Sequence, residues 1–341
     1  MNRKELIMET EATKSIVAIP DCVNDLIGEK LNQVEECISR LLKTENPLLS
    51  KIGSYICCSG GKRIRPIFLL LSSQLSGYSG DRDVFLASII ESIHAATLLH
   101  DDVVDQAAFR RRNPSANKLW GNQLPVLVGD YLYAKSFFWL VKDGDYSIMS
   151  TVSSATANVT DGEIFQLHKT GAADLTEEEY MYIITKKTAS LIAACCKIGG
   201  ILGGMNDHLV GTLETFGTKV GIAFQLVDDA LDFLAKEEKL GKPTGNDLRT
   251  GNATLPLIRT LSLASNEDQI RVQESMQTVP MTGSKLDWAL NLVREHRGAE
   301  YTLGRARKHI KDAKEALENF EDSTAKKALL SIADYIVDRE F

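Results

Sequence analysis

Apolar residues recur at the spacing of an α-helix along most of this chain. From residue 20 onward the apolar positions are three or four residues apart, at Val23, Leu26, Ile27, Leu31, Val34 and Ile38. This pattern predicts an amphipathic helix that ends near residues 46–47. Thr176 and Glu179 have the spacing of a capping box and indicate a second helix start. Because the regularly spaced alternating runs of a β-sandwich or barrel are lacking, we predict an all-α fold.

The longest apolar run covers residues 84–99 and leads directly into an acidic segment. Glu91 and His94 interrupt it, so the run predicts a buried core helix and not a membrane span. We therefore expect no integral membrane segment. Any contact with a membrane would be transient and would serve product release.

Composition narrows the class of protein further. The chain has 341 residues, 44% of them hydrophobic, enough for one large domain or two ordinary ones. Its net charge is −7 and no basic stripe carries interleaved aromatic residues, so we expect no nucleic-acid partner. Six cysteines form no CxxC motif, which favours a reducing cytoplasm. Residues 1–20 are charged and resemble no signal peptide, so we expect a mobile N-terminal arm.

Two copies of an acidic pattern, Asp-Asp-x-x-Asp, are the most informative feature of the chain. They comprise Asp101, Asp102 and Asp105, and Asp228, Asp229 and Asp232. On a helix the first and last Asp of each copy lie on one face, about one turn apart. Two unit charges at roughly 5 Å, with an effective dielectric near 20, repel by about 3 kcal/mol, so such carboxylates call for a cation. Mg²⁺ fits, because it bridges a few carboxylates to substrate phosphate oxygens.

A single copy of this pattern would be explained equally well by a solvated acidic turn. Two copies, each preceded by an apolar run, favour a metal-diphosphate site. Their convergence in one cavity is inferred from this chemistry, since no spacing rule places the two helices together.

Basic residues lie on either side of the first acidic copy. Gly60 and Gly61 would let the backbone approach a ligand closely, and Lys62 and Arg65 suit phosphate oxygens. Three consecutive arginines, residues 110–112, follow the copy. A generic basic turn, or simple neutralisation of the acidic residues, remains an alternative for these segments.

From about residue 22 to residue 341 the chain resembles the all-trans isoprenyl diphosphate synthases, most closely the long-chain bacterial polyprenyl type. The resemblance rests on segments 61–66, 93–105, 128–130, 162–166, 187–188, 224–232 and 241–256. It implies one helical-bundle domain, residues 21–341, around a central catalytic cavity. It also implies a homodimer, in which the apolar helix over residues 126–141, with Phe137, Phe138 and Trp139, could be interface or core.

The resemblance assigns a role to each matching residue. The Mg²⁺ ligands would be Asp101, Asp102, Asp105, Asp228, Asp229 and Asp232, holding three ions when substrate is bound. The allylic diphosphate would contact Arg110, Lys187 and Lys242. Isopentenyl diphosphate would contact Lys62, Arg65, His94 and Arg111. Oxygens of Thr188 and Gln225 would face the developing carbocation.

Three positions depart from the family pattern. Arg112 stands where the family commonly has Gly, and Gln106-Ala107 replaces a more usual acidic pair. Asn252 stands where the family usually has Lys, so one contact to diphosphate is lost.

Product length is expected to depend on the helix that precedes the first acidic copy. Short-chain members of the family place an aromatic residue near Ala96 or Thr97, and here both are small. We therefore expect an open floor past Ile93 and Ile89, and elongation of farnesyl diphosphate with isopentenyl diphosphate to about C40. A C15 to C20 product is the alternative.

Other classes of protein fit the sequence less well. A terpene cyclase normally has Asn or Ser with Glu in its second metal motif, which residues 228–232 lack. An HD-type phosphohydrolase built on His100 would need further histidines. A non-catalytic subunit of a heteromeric synthase usually loses one acidic copy, and this chain keeps both.

Overall fold

The fold is almost entirely helical, as predicted. The computed structural model describes residues 19–57, 60–111, 113–234, 244–277 and 280–338. Helices α1 to α5 span Asp21–Leu41, Pro47–Cys57, Ile64–Leu75, Arg82–Val104 and Ala116–Trp120. Helices α6 to α10 span Gln123–Asp143, Tyr146–Lys169, Glu177–Ile184, Ser190–Leu202 and Asp207–Leu234. Helices α11 to α16 span Asn246–Arg249, Leu255–Leu261, Asn266–Met276, Gly283–Glu295, Gly298–Ala316 and Thr324–Asp338.

Three shorter elements complete the described chain. A single turn of π-helix, Thr185–Ala189, joins α8 to α9, and a 3₁₀ turn, Leu317–Asn319, follows α15. Strands β1, Phe109–Arg110, and β2, Asn113–Pro114, form a small antiparallel hairpin just after α4.

Two helices organise the packing. Helix α4 packs against α1, α3, α6 and α9, and helix α10 packs against α9, α15, α12 and α16. Helix α9 contacts both of them and also α7. Since α4 and α10 each carry one acidic motif, α9 and the π turn that precedes it lie between the two motifs.

Helices α9 and α10 approach each other through their backbones. A β-carbon added at Gly221 would lie 2.5 Å from Cα of Ala189, and one added at Gly217 would lie 2.8 Å from Cα of Ala193. Both pairs are spaced by four residues, one helical turn, so they form one line of contact. On the opposite side, a β-carbon at Gly162 of α7 would lie 2.8 Å from the backbone nitrogen of Lys187. The π turn is thus held between two glycine-lined helix faces.

The predicted helix boundaries are partly right. The capping box at Thr176 is present, because its hydroxyl accepts the Glu179 N–H and the Glu179 carboxylate accepts the Thr176 N–H. The end predicted for α1 is wrong, since α1 stops at Leu41. Asn46 instead caps the next helix, where its Oδ1 accepts the N–H of Leu48 at 3.1 Å. The predicted N-terminal arm lies outside the described residues except for positions 19 and 20.

Helix α4 is a core helix, as its pattern predicts. It is long and apolar enough to cross a membrane by length and composition, but 72% of its most apolar window is buried inside the protein. Its last turn carries Asp101 and Asp102. These features identify it as the buried wall of a site.

Replacing Gly221 with Val tests the contact between α10 and the π turn. The added side chain would force α10 away from Ala189, and we expect the free energy of unfolding to fall by about 1–3 kcal/mol. Denaturant unfolding measures this change.

Gly211→Ala in the same helix is the matched control, because nothing lies within 4 Å of a β-carbon at Gly211. This variant should be as stable as the parent protein or more stable by up to about 1 kcal/mol. Equal stability of Gly221→Val and the parent protein would contradict the packing described here.

Candidate active site

The first acidic motif lies at the C-terminal end of α4. Asp101 is half-buried in the last turn, and Asp105 is exposed at the C-cap, where its N–H still bonds to the Asp101 carbonyl at 2.8 Å. Gln106 then adopts a left-handed conformation and ends the helix. Because a helix C-terminus carries partial negative charge, carboxylates at this end are disfavoured unless a cation is nearby.

The middle residue of this motif faces the protein interior. Asp102 is fully buried, and its Oδ1 accepts a hydrogen bond from Nε of Arg110 at 2.8 Å. Nη2 of Arg110 lies 2.8 Å from the same oxygen and completes an ion pair. Its Oδ2 is buried without a hydrogen-bond partner. Asp102 therefore holds Arg110, while Asp101 and Asp105 provide the accessible oxygens of the motif.

The second motif, on α10, also has a buried middle carboxylate, but its last carboxylate is buried as well. Asp229 is buried, and it accepts hydrogen bonds from the Tyr180 hydroxyl at 2.5 Å and from Nε2 of Gln225 at 2.7 Å. Asp232 is buried and accepts the backbone N–H of Asp247 at 3.0 Å. Asp228 is half-buried and is the most accessible carboxylate of the three.

Burial raises the pKa of all three carboxyl groups of the first motif and of Asp229 in the second. It raises the pKa of Asp101 to about 7, although the nearby Lys187 ammonium opposes the change. It also raises the pKa of Asp229 to about 7, against the hydrogen bonds from Tyr180 and Gln225. In both cases the ionised form lacks enough solvation or positive charge around it, which a bound divalent cation would supply.

The π turn connects the two motifs. Lys187 forms an ion pair with Glu163 of α7 and donates to Oε1 of Gln166 at 3.1 Å. The next residue, Thr188, points the other way and donates to Oε1 of Gln225 at 2.8 Å. Lys187 lies close enough to Asp101 and Asp105 for their charges to raise its pKa against the effect of burial. Side chains of the one π turn therefore reach both acidic motifs.

A separate group of cations surrounds the loop before α3. Arg65 is enclosed, its Nε is buried without a partner, and burial lowers its pKa. Arg111 lies over Gly61, where an added β-carbon would be 2.8 Å from Nη1 of Arg111. Burial, and then the charges of Arg65 and Arg111, hold the pKa of His94 well below its usual range. The imidazole is therefore neutral, and the excess of positive charge fits an anion.

The loop itself is anchored by Arg63, a residue to which the sequence assigned no role. Its backbone is left-handed, and its guanidinium forms ion pairs with Glu35 of α1 and with Glu91 of α4 at 2.8 Å. It also donates to the Cys57 carbonyl at 2.6 Å. These bonds fix Arg63 and so orient the loop on either side of it, where Lys62 and Arg65 lie. Lys62 is half-buried.

The structure thus brings together most of the residues predicted for the site. Arg65, His94 and Arg111 form one group, and Lys187, Thr188 and Gln225 lie between the acidic motifs. Lys242 and Arg112 lie outside the described residues. Asn252 bonds to Thr170 and Thr250, 3.3 and 3.1 Å away, and supplies no cation.

The open floor predicted along α4 is not what the structure shows. Ala96 and Ile89 have no exposed surface and Ile93 has 1%, so these side chains are packed and face no open space. Thr97 is half-buried, and so is the neighbouring Leu98. The prediction failed because it treated Ala96 and Asp101 as one face, whereas five residues turn a helix by about 140° beyond a full turn.

Two further residues were missed as functional groups. Tyr180 lies in the apolar stretch that follows the capping box, where its hydroxyl gives no signal in a hydrophobic pattern. Glu163 stands beside Gly162 in a matching segment, but its pairing with Lys187 depends on how α7 meets the π turn. Neither contact follows from spacing along the chain.

The donor set fits a hard divalent cation. Its accessible groups near the two motifs are carboxylate oxygens, which Mg²⁺ prefers. Within the described ranges, no three Asp, Glu, His or Cys side chains are close enough to form a preassembled metal cluster. Mg²⁺ is usually held by one or two carboxylates together with substrate phosphates.

Helical fold, paired acidic walls and an adjoining cationic group together define an enzyme that handles diphosphates. The family model described as Polyprenyl synthetase matches residues 46–293. The octaprenyl diphosphate synthase of Escherichia coli (strain K12) is 35% identical over 318 residues, covering 93% of this chain and 98% of that protein. The short chain isoprenyl diphosphate synthase of Methanothermobacter thermautotrophicus is 34% identical over 325 residues, covering 93% and 99%.

A solved structure agrees with this match. The polyprenyl synthase from Caulobacter crescentus CB15, complexed with calcium and isoprenyl diphosphate, has a TM-score of 0.89 and 32% identity, covering 94% of this chain and 97% of that one. The chain belongs to the polyprenyl synthetase family. It is a trans-prenyltransferase, an all-trans polyprenyl diphosphate synthase.

Proposed function

We propose that this enzyme extends farnesyl diphosphate by successive condensations with isopentenyl diphosphate to an all-trans product of about C40. The observation that supports the proposal is that two chemically different groups of side chains adjoin. One group consists of carboxylates, which would bind an anion only through metal ions, whereas the other consists of Arg65, Arg111 and neutral His94, which would bind an anion directly. Two diphosphates with different fates would occupy such sites.

In this proposal the allylic diphosphate lies between the two acidic motifs. Asp101, Asp105 and Asp228 would hold Mg²⁺, three ions in all, because they carry the accessible oxygens. The three buried carboxylates would act indirectly. Asp102 would fix Arg110, Asp229 would fix Gln225, and Asp232 would fix the backbone at Asp247. Lys187, Arg110 and Lys242 would contact the same diphosphate. Isopentenyl diphosphate would be bound by Lys62, Arg65, His94 and Arg111.

The proposed reaction begins with ionisation of the allylic C–O bond. Bound Mg²⁺ would stabilise the charge that develops on the leaving diphosphate. Lys187 and Arg110 would contribute to the same stabilisation, and hydroxyl and amide oxygens of Thr188 and Gln225 would face the allylic cation. The double bond of isopentenyl diphosphate, held in place by the cationic group, would attack that cation. The departing diphosphate would accept the final proton, and the apolar walls would exclude water.

Removing an accessible carboxylate from either motif tests the metal role. Asp101→Ala and Asp228→Ala should each lower kcat by about three orders of magnitude or more, because a cation that stabilises the leaving group loses a ligand. Incorporation of radiolabelled isopentenyl diphosphate in the presence of Mg²⁺ measures the change.

Asp207→Ala is the matched control, since Asp207 is an exposed residue in the first turn of α10, at the opposite end from Asp228. Its turnover should be unchanged. Turnover near that of the parent enzyme in both motif variants would refute the assignment.

Product length is proposed to be set beside Thr97. This side chain is half-buried one turn before Asp101 and on nearly the same face, so a larger group there would project toward the growing chain. An isoprene unit extends the product by roughly 4–5 Å, close to one helical turn of 5.4 Å. Small residues at this level therefore favour a long product over the C15 to C20 alternative.

Thr97→Phe should shift the products from about C40 to C15–C20 while the first condensation continues, because the ring would block the path of the chain. Thin-layer or mass-spectrometric analysis of products made from farnesyl diphosphate measures the shift. Thr97→Val, which has the same shape, should retain the long product. Full-length product from Thr97→Phe, or mainly C15–C20 product from the parent enzyme, would rule out this account.

We also propose a cytoplasmic homodimer formed through α6 and α7. Leu127, Phe138 and Val141 lie on one face of α6 and are 62%, 48% and 64% exposed, and Ile164 of α7 is 63% exposed. Phe137 and Trp139 pack against the core instead. A second copy of the chain would cover this apolar surface. Any contact of the dimer with a membrane would be transient.

Sedimentation at micromolar concentration should give the mass of a dimer, and Phe138→Glu should give a monomer because it places charge in the proposed interface. Leu263→Glu is the control, since Leu263 is 51% exposed but lies after α12, on another part of the chain. A monomeric parent protein would exclude the homodimer. Activity that appeared only with a second, different chain would favour the heteromeric alternative.

A further inference from the structure

The ion pair between Lys187 and Glu163 lies where the substrate diphosphate would need Lys187. Its side chains are only 25% and 15% exposed. This pairing follows from the packing of α7, because the backbone at Gly162 lies against the backbone nitrogen of Lys187. The residue next to Gly162 is therefore fixed beside Lys187 whatever its chemistry.

Carboxylates outnumber cations around this ammonium group. Asp101 and Asp105 act on Lys187 in addition to Glu163, and Gln166 accepts one of its hydrogen bonds. Among the residues that the structure describes, Arg110 also acts on Asp101 and Asp105, and its guanidinium is paired with Asp102. Lys187 is thus the cation most readily transferred to an arriving anion, and Glu163 is its present partner.

We propose that Glu163 holds Lys187 in the substrate-free enzyme and releases it to the diphosphate when substrate binds. This inference rests on the proposed role of Lys187 in binding the allylic diphosphate. Glu163 is a positioning residue in this scheme. It keeps the buried ammonium paired and oriented between turnovers, and it competes with any diphosphate that arrives without enough Mg²⁺ to neutralise the carboxylates.

This competition has a measurable consequence. A diphosphate free of metal must displace Glu163 to reach Lys187, whereas removing the charge of Glu163 would leave Lys187 available. We therefore expect Glu163→Gln to bind metal-free inorganic diphosphate about tenfold more tightly than the parent enzyme, since hydrogen bonds between charged groups differ from neutral ones by about this much.

The test is isothermal titration of full-length protein with inorganic diphosphate in the presence of a chelator. It compares the parent enzyme, Glu163→Gln, Lys187→Met and the double variant. If Glu163 acts by occupying Lys187, the gain in affinity should disappear in the Lys187→Met background. A gain of equal size in that background, or no gain in either, would overturn the inference. Glu163→Ala provides a second variant should Glu163→Gln fail to fold, as judged by thermal unfolding.

The matched control uses a similar ion pair that also involves α7 but joins it to α8 and not to the π turn. Glu179 of α8 bonds Lys169 of α7 at 2.7 Å, outside the site. Glu179→Gln should leave diphosphate affinity unchanged. Failure of the underlying function would look different from failure of this inference. If the parent enzyme bound no diphosphate even with Mg²⁺, the proposed function would fall, whereas normal binding with Mg²⁺ and no gain in Glu163→Gln would remove only the role of Glu163.

Discussion

The contact of the π turn with two glycine-bearing helices determines how this site is built. Gly162 on one side and Gly221 on the other allow backbone to meet backbone, so α7 and α10 both lie as close to the turn as atoms permit. A π turn contains one more residue than an α-helical turn and is often found at functional sites. Here two successive residues of the turn, Lys187 and Thr188, extend toward opposite acidic motifs. Their contacts depend on the close approach of both helices to the turn.

The charges of the site follow from that geometry. Both acidic motifs lie in the last turns of long helices, where the partial charge of the backbone adds to that of the carboxylates. In each motif the middle carboxylate is turned inward and engaged by protein donors, Arg110 in one case and Tyr180 with Gln225 in the other. This arrangement leaves few accessible carboxylate oxygens and fixes their orientation. The cationic group at Arg65 and Arg111 adjoins the first motif through Arg110, which interacts with Arg111 and pairs with Asp102.

Individual residues show how much of the fold and of the candidate site can be predicted from the sequence. The helical period predicted an all-α chain, and residue types alone pointed to carboxylates that need a cation and to arginines that suit phosphate. The end of α1 was misplaced because Asn46 can mark the end of one helix or the cap of the next. Ala96 was assigned to the wrong face because five residues, unlike four, rotate a side chain by about 140° away from the face of Asp101. Arg63, Glu163 and Tyr180 were not recognised because their partners are remote in sequence, and their roles depend on which helices pack together.

The two acidic walls differ in how firmly they are fixed. Asp105 stands at a helix end, exposed, with a left-handed residue immediately after it, whereas Asp229 and Asp232 are buried and bonded within the core. One wall therefore ends in a carboxylate that water reaches directly, whereas these two carboxylates of the other wall are shielded from water. Solvent and salt screen the charge of an exposed group more strongly than that of a buried one. The electrostatic contribution of the first wall should therefore depend more on ionic strength than that of the second.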